Sequence, residues 1–236
     1  MPVRFTIEVG GDAHTDFAEI ICQSIEDAAR ARGTGIARRT PEYILSKLRE
    51  GKAVIAFALH DDAFSPEFAG FCYIETWGGK KYVANSGLVV RPEYRHSGIA
   101  RAIKRRAFEL SREKYPEAKL FGITTSHAVM KINTDLGYVP VPFSELTDDD
   151  EFWNGCKSCP NVDILERTNR RMCLCTGMLC DPGDPRTYVR QAIHAHVIDI
   201  TLPDKTEEQP PLVDDHAVFA NGNTIFSPPE NEVTNA

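Results

Sequence analysis

Apolar positions recur along this chain at two periods, and the switches between them set out its elements. Phe5, Ile7 and Val9 alternate with polar neighbours over residues 4–9, the two-residue period of a strand with one face covered. Gly10-Gly11 ends that strand. Over residues 12–32 the period becomes helical, with Phe17, Ile20, Ile21, Ile25 and Ala28 on one side, and Gly33-Thr34-Gly35 stops it. Thr40-Pro41-Glu42 opens a second helix, with a hydroxyl N-cap, proline at the first helical position, and Ile44, Leu45 and Leu48 facing inward. Strands are predicted over 53–59, 68–77 and 82–90, the last two joined by a Gly78-Gly79 turn. A helix over 98–115, a strand over 119–125, a short helix over 128–135 and a strand beginning at Tyr138 follow. The order is βααβββαβαβ. Short turns make the middle strands antiparallel, and the helix between the fourth and fifth makes that pair parallel. The fold class is α/β, a mixed and mostly antiparallel sheet with helices on both faces.

Past Glu145 the pattern weakens. An acidic run, 147–151, leads into Cys156-Lys-Ser-Cys159, Cys173-Leu-Cys175 and Cys180. The organisation expected is a domain over 1–145, a Cys-rich extension packed on it over 146–185, and a tail over 186–236 rich in proline and acidic residues. The tail reads as partly disordered, with a candidate strand over 196–202 and an Asn221-Gly222 hairpin near 216–227.

Composition narrows the function. The formal net charge of −7 argues against a nucleic-acid partner, so any basic stretch has a local ligand. No apolar span approaches membrane length and the N-terminus has no signal pattern, so the expectation is a cytoplasmic protein with no membrane partner. Seven cysteines in a reducing compartment read as core thiols, metal ligands or reactive groups.

The local basic stretch is YVANSGLVVRPEYRHSGIARAIKRRA, residues 82–107. An apolar strand runs into a turn broken by Pro92, and Gly98-Ile99-Ala100 opens an amphipathic helix with Arg101, Lys104 and Arg105 on its polar side. Strand, tight turn and helix N-terminus present free N–H groups to an anion, and Gly98 lets it approach the backbone.

Arg95-His-Ser-Gly98-Ile-Ala100 resembles the acetyl-CoA-binding motif of GCN5-related N-acetyltransferases (GNAT), Arg/Gln-x-x-Gly-x-Gly/Ala between a strand and a helix. The preceding Leu-Val-Val-x-Pro-Glu-Tyr-Arg and the order of elements match as well. The resemblance covers about residues 1–145 and implies an acyl-CoA cosubstrate, acetyl-CoA or a larger one such as succinyl-CoA, with a small amine as acceptor. It implies that the amides of Leu88, Val89 and Val90 pair with the pantetheine arm. The turn of Arg95, His96, Ser97, Gly98, Ile99 and Ala100 would hold the pyrophosphate, with Arg101 adding charge and Lys104 or Arg105 near the adenosine. Val89 or Val90 would polarise the thioester carbonyl through its N–H, Val90 being the first choice. Glu75 is the first candidate base, ahead of Glu93, His127 and His96. The family's tyrosine acid, in a Leu-Tyr-x-x-x-Gly-Phe pattern, is replaced by Asn133, and its upstream asparagine by Ser126, also a cofactor contact. Arg38 and Arg39 stand where the family walls its acceptor pocket. The segments GFCYIETW, KYVANSGL, AVMKIN and CLCTGML resemble a branch found with arginine-synthesis genes in Bacteroidetes-type bacteria, which implies glutamate as acceptor. A GNAT acting on protein lysines or N-termini, and a non-catalytic acyl-CoA sensor, are the rival readings.

Cys156, Cys159, Cys173 and Cys175 offer four thiolates in two pairs, the ligand number of structural zinc. Small buried hydrophobes and a redox group are the alternatives.

Overall fold

The computed structural model describes residues 3–32, 39–60, 65–187 and 197–200. All of them belong to one compact unit. Its centre is an eight-stranded sheet: β1 (Val3–Val9), β2 (Ala53–Leu59), β3 (Glu67–Trp77), β4 (Tyr82–Val90), β5 (Lys119–Thr124), β6 (Val139–Val141), β7 (Thr176–Cys180) and β8 (Val197–Ile200). Their spatial order is β6-β7-β5-β4-β3-β2-β1-β8. Every neighbouring pair is antiparallel except β4 and β5, as the turn lengths require.

The helices are α1 (Ala18–Arg32), α2 (Pro41–Arg49), α3 (Ile99–Lys114), α4 (His127–Asp135), α5 (Asp150–Asn154) and α6 (Val162–Arg167). They explain why β2 reads as unbroken apolar sequence. Ile55 and Phe57 face α1 and α2, packing with Ile21, Ile25, Ile44 and Leu48. Val54, Ala56 and Ala58 face α3, packing with Ile99, Ile103 and Ala107. A strand covered on both faces loses its polar alternation. Thr40 caps α2 as expected, its hydroxyl accepting from Tyr43 N–H at 3.3 Å.

The boundary expected at residue 145 does not hold. β7 lies between β5 and β6 and pairs with both, so the main sheet resumes thirty residues past that point. The Cys-rich segment is an insertion between β6 and β7, not an extension beyond the sheet. Its short helices lean on a third core of Phe121, Phe143, Trp153, Leu165 and Leu179. Asp149 ties the insertion to the β3–β4 turn, accepting from Gly78 N–H at 2.8 Å while it caps α5 through Glu151 N–H at 2.9 Å. The candidate strand near 196–202 is β8, paired with β1. The hairpin near 216–227 lies outside the described residues, as does the rest of the tail beyond Ile200.

Candidate active site

The turn between β4 and α3 forms the wall of a cavity of about 390 Å³. Leu88, Val89, Val90, Arg95, His96, Gly98, Ile99, Ala100, Arg101 and Ser126 line it, all of them expected from the sequence. Ser97 is the exception. Its hydroxyl donates to Tyr94 C=O at 2.6 Å, so it shapes the turn instead of facing the cavity. Gly98 has φ +86°, the left-handed region that glycine enters freely, and no side chain caps the sixteen-residue helix it precedes. The N-terminal amides of α3 and the positive end of its dipole therefore remain available to an anion.

The two central strands part above this turn. β4 and β5 pair only over Tyr82–Ala84 and Lys119–Phe121 among the described residues. On its other side β4 pairs with β3, with an irregularity where Phe71 faces Val89 and Tyr73 faces Ser86, and Gly87 takes φ +65° there. Arg91 N–H bonds Ala69 C=O at 3.0 Å. By alternation the Val89 backbone turns toward β3 and the Val90 backbone away from it. Val90 C=O accordingly accepts from Arg95 Nε at 3.3 Å. The expectation that Val89 N–H serves a ligand is corrected by this register.

A second cavity, of about 260 Å³, opens on the far side of the parted strands. Leu88, Ser126 and Val129 line both cavities, so they mark where the two meet. Arg39, Asn85, Ser86 and Thr125 line the second from the sheet side; Phe152, Cys159, Asn161 and Cys175 line it from the insertion. Arg39 Nε donates to the Tyr73 hydroxyl at 2.7 Å, and its guanidinium stands 5.2 Å from the Tyr43 ring centre. Arg38 lies outside the described residues. Burial pushes the Tyr73 phenol up, against the pull of Arg39.

Glu75 sits on the same face of β3 as Tyr73, two residues on. Lys47 Nζ lies 2.6 Å from its Oε1, and the carboxylate lines neither cavity. Burial pushes the Glu75 carboxyl up to about 7, and Arg39 pulls it back. The Lys47 ammonium, at ion-pair distance, pulls the same way as Arg39. Burial in turn holds Lys47 below the usual lysine range.

Burial decides the place of two polar groups. Asn133 is 2% exposed; its amide donates to Met178 Sδ at 3.5 Å and it lines neither cavity, so the α4 position that carries the family's acid points into the core. Lys104, expected near the adenosine end, is 3% exposed. Its ammonium donates to Asn85 C=O at 3.3 Å and stands 5.7 Å from the Tyr138 ring centre. Arg101 is paired with Asp135, and Arg91 with Glu67 and Glu93.

The four cysteines of the insertion come together. Cys156 feels Cys159 and Cys173, and Cys175 feels the other three; burial and these neighbours push Cys156 and Cys175 up to about 11 and about 12. Yet no three His, Cys, Asp or Glu side chains are arranged to hold a metal ion among the described residues. Cys173 Sγ turns to Asn161 C=O at 3.8 Å, and Cys156, Cys173 and Cys175 pack against the third core. The expected zinc knuckle does not fit this arrangement. Sequence reasoning also missed Tyr73 and the insertion wall. The signal for Tyr73 was present, because the period of β3 puts Phe71, Tyr73 and Glu75 on one face.

No helix among the described residues is long and apolar enough to cross a membrane. No curated protein matches this chain. Among solved structures, the Mycobacterium tuberculosis protein Rv2747 in complex with CoA is similar at 15% identity and a TM-score of 0.51, over 74% of this chain and 98% of that one. A putative acetyltransferase from Acinetobacter baylyi is similar at 14% identity and a TM-score of 0.51, over 82% of this chain and 100% of that one. N-acetylglutamate synthase from Neisseria gonorrhoeae, complexed with coenzyme A and N-acetyl-glutamate, aligns at 14% identity and a TM-score of 0.49 over 74% of this chain; the aligned part is 34% of that protein's length. At these identities the likeness is one of fold. The model of the acetyltransferase (GNAT) family matches residues 21–129, from within α1 through the Gly98 turn to the first residues of α4. That match spans 109 of the 236 residues and identifies a GNAT acetyltransferase domain within the chain.

Proposed function

We propose that the chain transfers an acyl group from acyl-CoA to the amine of a small acceptor that carries a carboxylate. The observation that carries this reading is the meeting of two cavities at Leu88, Ser126 and Val129, one walled by the Gly98 turn and the other by Arg39. A thioester must lie where both substrates can reach it. The pyrophosphate rests on the α3 amides, and the pantetheine arm follows β4 with the Val90 backbone as a partner. The carbonyl then arrives at Leu88, which reaches the junction where Val90 does not. Leu88 N–H is thus the preferred oxyanion donor over Val90 N–H.

The amine attacks the thioester carbon directly, and the tetrahedral oxyanion collapses with loss of the CoA thiolate. No covalent enzyme intermediate is needed. Glu75, with its carboxyl up near 7, takes the proton from the amine through an intervening water, and the thiolate takes its proton from solvent. Arg39 pairs with the acceptor carboxylate. Glutamate is the acceptor that the sequence resemblance implies, and acetyl-CoA the first donor to examine, with succinyl-CoA beside it. The test is CoA release from each donor against a panel of free amino acids and lysine peptides. Turnover with glutamate and not with peptides supports the reading; turnover with peptides alone, or tight acetyl-CoA binding without turnover, overturns it.

A further inference from the structure

Two of the four clustered thiols, Cys159 and Cys175, line a cavity, and among the described residues the cluster forms no metal site, which asks for another chemistry. Cys159 closes a turn: its N–H donates to Cys156 C=O at 2.9 Å. An i to i+3 bond of this kind keeps the two Cα atoms within about 7 Å, which overlaps the span a disulfide bridges. The two thiols differ in access. Cys159 lines the second cavity beside Asn161, while Cys156 packs behind it against the third core. Neither is in a disulfide in this structure. The turn belongs to an insertion built of helices of four to six residues, which wall the cavity with little regular structure of their own.

We propose that Cys156 and Cys159 form a reversible dithiol–disulfide couple, oxidised by a low-molecular-weight disulfide, that reshapes the acceptor cavity through Cys159. The Cys159 thiolate attacks one sulfur of the small disulfide, whose S–S bond breaks. The leaving thiolate takes up a proton equivalent to the one Cys159 shed. The Cys156 thiol then gives its proton to solvent and attacks the Cys159 sulfur, expelling the second small thiol. Two protein thiols lose two electrons and two protons, and the small disulfide gains them. Oxidation withdraws the Cys159 sulfur from the cavity wall toward Cys156 and pins the turn that carries Asn161. The Gly98 turn belongs to the other cavity and is not touched. The effect on kinetics rests on the second cavity being the acceptor site; the formation of the couple does not.

The full chain, reduced and then titrated with oxidised glutathione, is the material for the test. Lys157 lies between the two cysteines, so tryptic cleavage leaves two peptides that only a Cys156–Cys159 bond holds together under non-reducing conditions. The expected result is that linked pair, a rise of about threefold or more in acceptor KM, unchanged acyl-CoA affinity, and reversal by dithiothreitol. Cys156→Ser, which alters no residue lining the cavity, is expected to abolish the link and to leave Cys159 as a mixed disulfide with glutathione. If that variant does not fold, the wild-type peptide map decides alone. Four thiols still free after oxidised glutathione, a link through Cys173 or Cys175, an unchanged KM in the linked form, or stoichiometric zinc held by these cysteines in protein purified without chelators would each overturn the couple. If no acceptor is turned over at all, the proposed function fails while the peptide link still reports on the thiols.

Discussion

Arg39 Nε donates to the Tyr73 hydroxyl at 2.7 Å, joining the chain that precedes α2 to the middle of β3 on the wall of the second cavity. The bond orients the Arg39 guanidinium, whose planar fork distinguishes it from a lysine ammonium. Lysine has neither the fork nor the reach to Tyr73. Arg39→Lys is therefore expected to raise acceptor KM about tenfold to a hundredfold, the equivalent of one charge-assisted hydrogen bond of about 1.5–3 kcal/mol, with acyl-CoA KM unchanged. Steady-state kinetics with each substrate varied separately checks this. Equal effects on both substrates would remove Arg39 from the acceptor side.

Gly87 is held for two reasons at once. Its φ is +65°, and a Cβ added there would stand 2.6 Å from Cε1 of Tyr73. The backbone alone makes Gly87→Ala cost about 1–2 kcal/mol. The collision adds to it, because Tyr73 is buried and tied to Arg39 and has no free direction to move. Thermal unfolding is expected to fall by at least about 4 °C, and kcat with it, since the same bulge aims Leu88 at the junction. A variant as stable and as active as the wild type would show that the β4 irregularity is not needed.

The strands β1 to β5, the helices α1 to α3 and the Gly98 turn were legible because each carries a periodic or, in β2, an unbroken seven-residue apolar run set off by turn residues. β7 was not. Thr176–Cys180 is five residues long and buried without alternation, and it follows an insertion whose cysteines suggest a separate module. Only its pairing with β5 and β6 reveals it as part of the sheet, and pairing is a non-local fact. Of the eleven expected cofactor contacts, ten line the first cavity, nine of them between Leu88 and Arg101 and the tenth at Ser126; only Ser97 bonds within its own turn. The wall of the second cavity is drawn from the approach to α2, β4, β5, the start of α4 and the insertion, so its members share no sequence signal. Lys104 misled because a helical wheel cannot tell a solvated lysine from one whose stem runs through the core.

Lys47 stands at ion-pair distance from the proposed base, 2.6 Å from Glu75 Oε1. Burial alone pushes Glu75 up, and the ammonium 2.6 Å away opposes that shift. Lys47→Met removes the cation and keeps the stem, so the Glu75 carboxyl must rise further. A base works only when deprotonated. The acid limb of kcat/KM is accordingly expected to shift to higher pH in Lys47→Met, and to disappear in Glu75→Gln together with most of kcat. A pH profile of kcat/KM for the three proteins decides the matter; an acid limb unmoved in Lys47→Met and retained in Glu75→Gln would assign the base to another group.

Lys104 offers a stability change of opposite sign to most core substitutions. It is enclosed between α3 and the sheet, where it meets Asn85 C=O and the face of Tyr138. Burial holds its ammonium below the usual lysine range, against the opposing influence of the Cys72 thiol. A lysine whose folded affinity for protons is depressed is protonated more readily in the unfolded chain. The native state therefore loses stability as pH falls from the ordinary lysine value toward the depressed folded one. Lys104→Met keeps the volume and removes the charge, so the variant is expected to be as stable as the wild type or more so, by up to about 1–4 kcal/mol. The gain should shrink as pH rises through the ordinary lysine value, above which the wild-type amine is neutral in both states. Acyl-CoA affinity should not change, because the ammonium points to β4 and away from the Gly98 turn. Urea unfolding at several pH values, with CoA titration beside it, measures both. A marked loss of CoA binding without a loss of stability would return Lys104 to the nucleotide site.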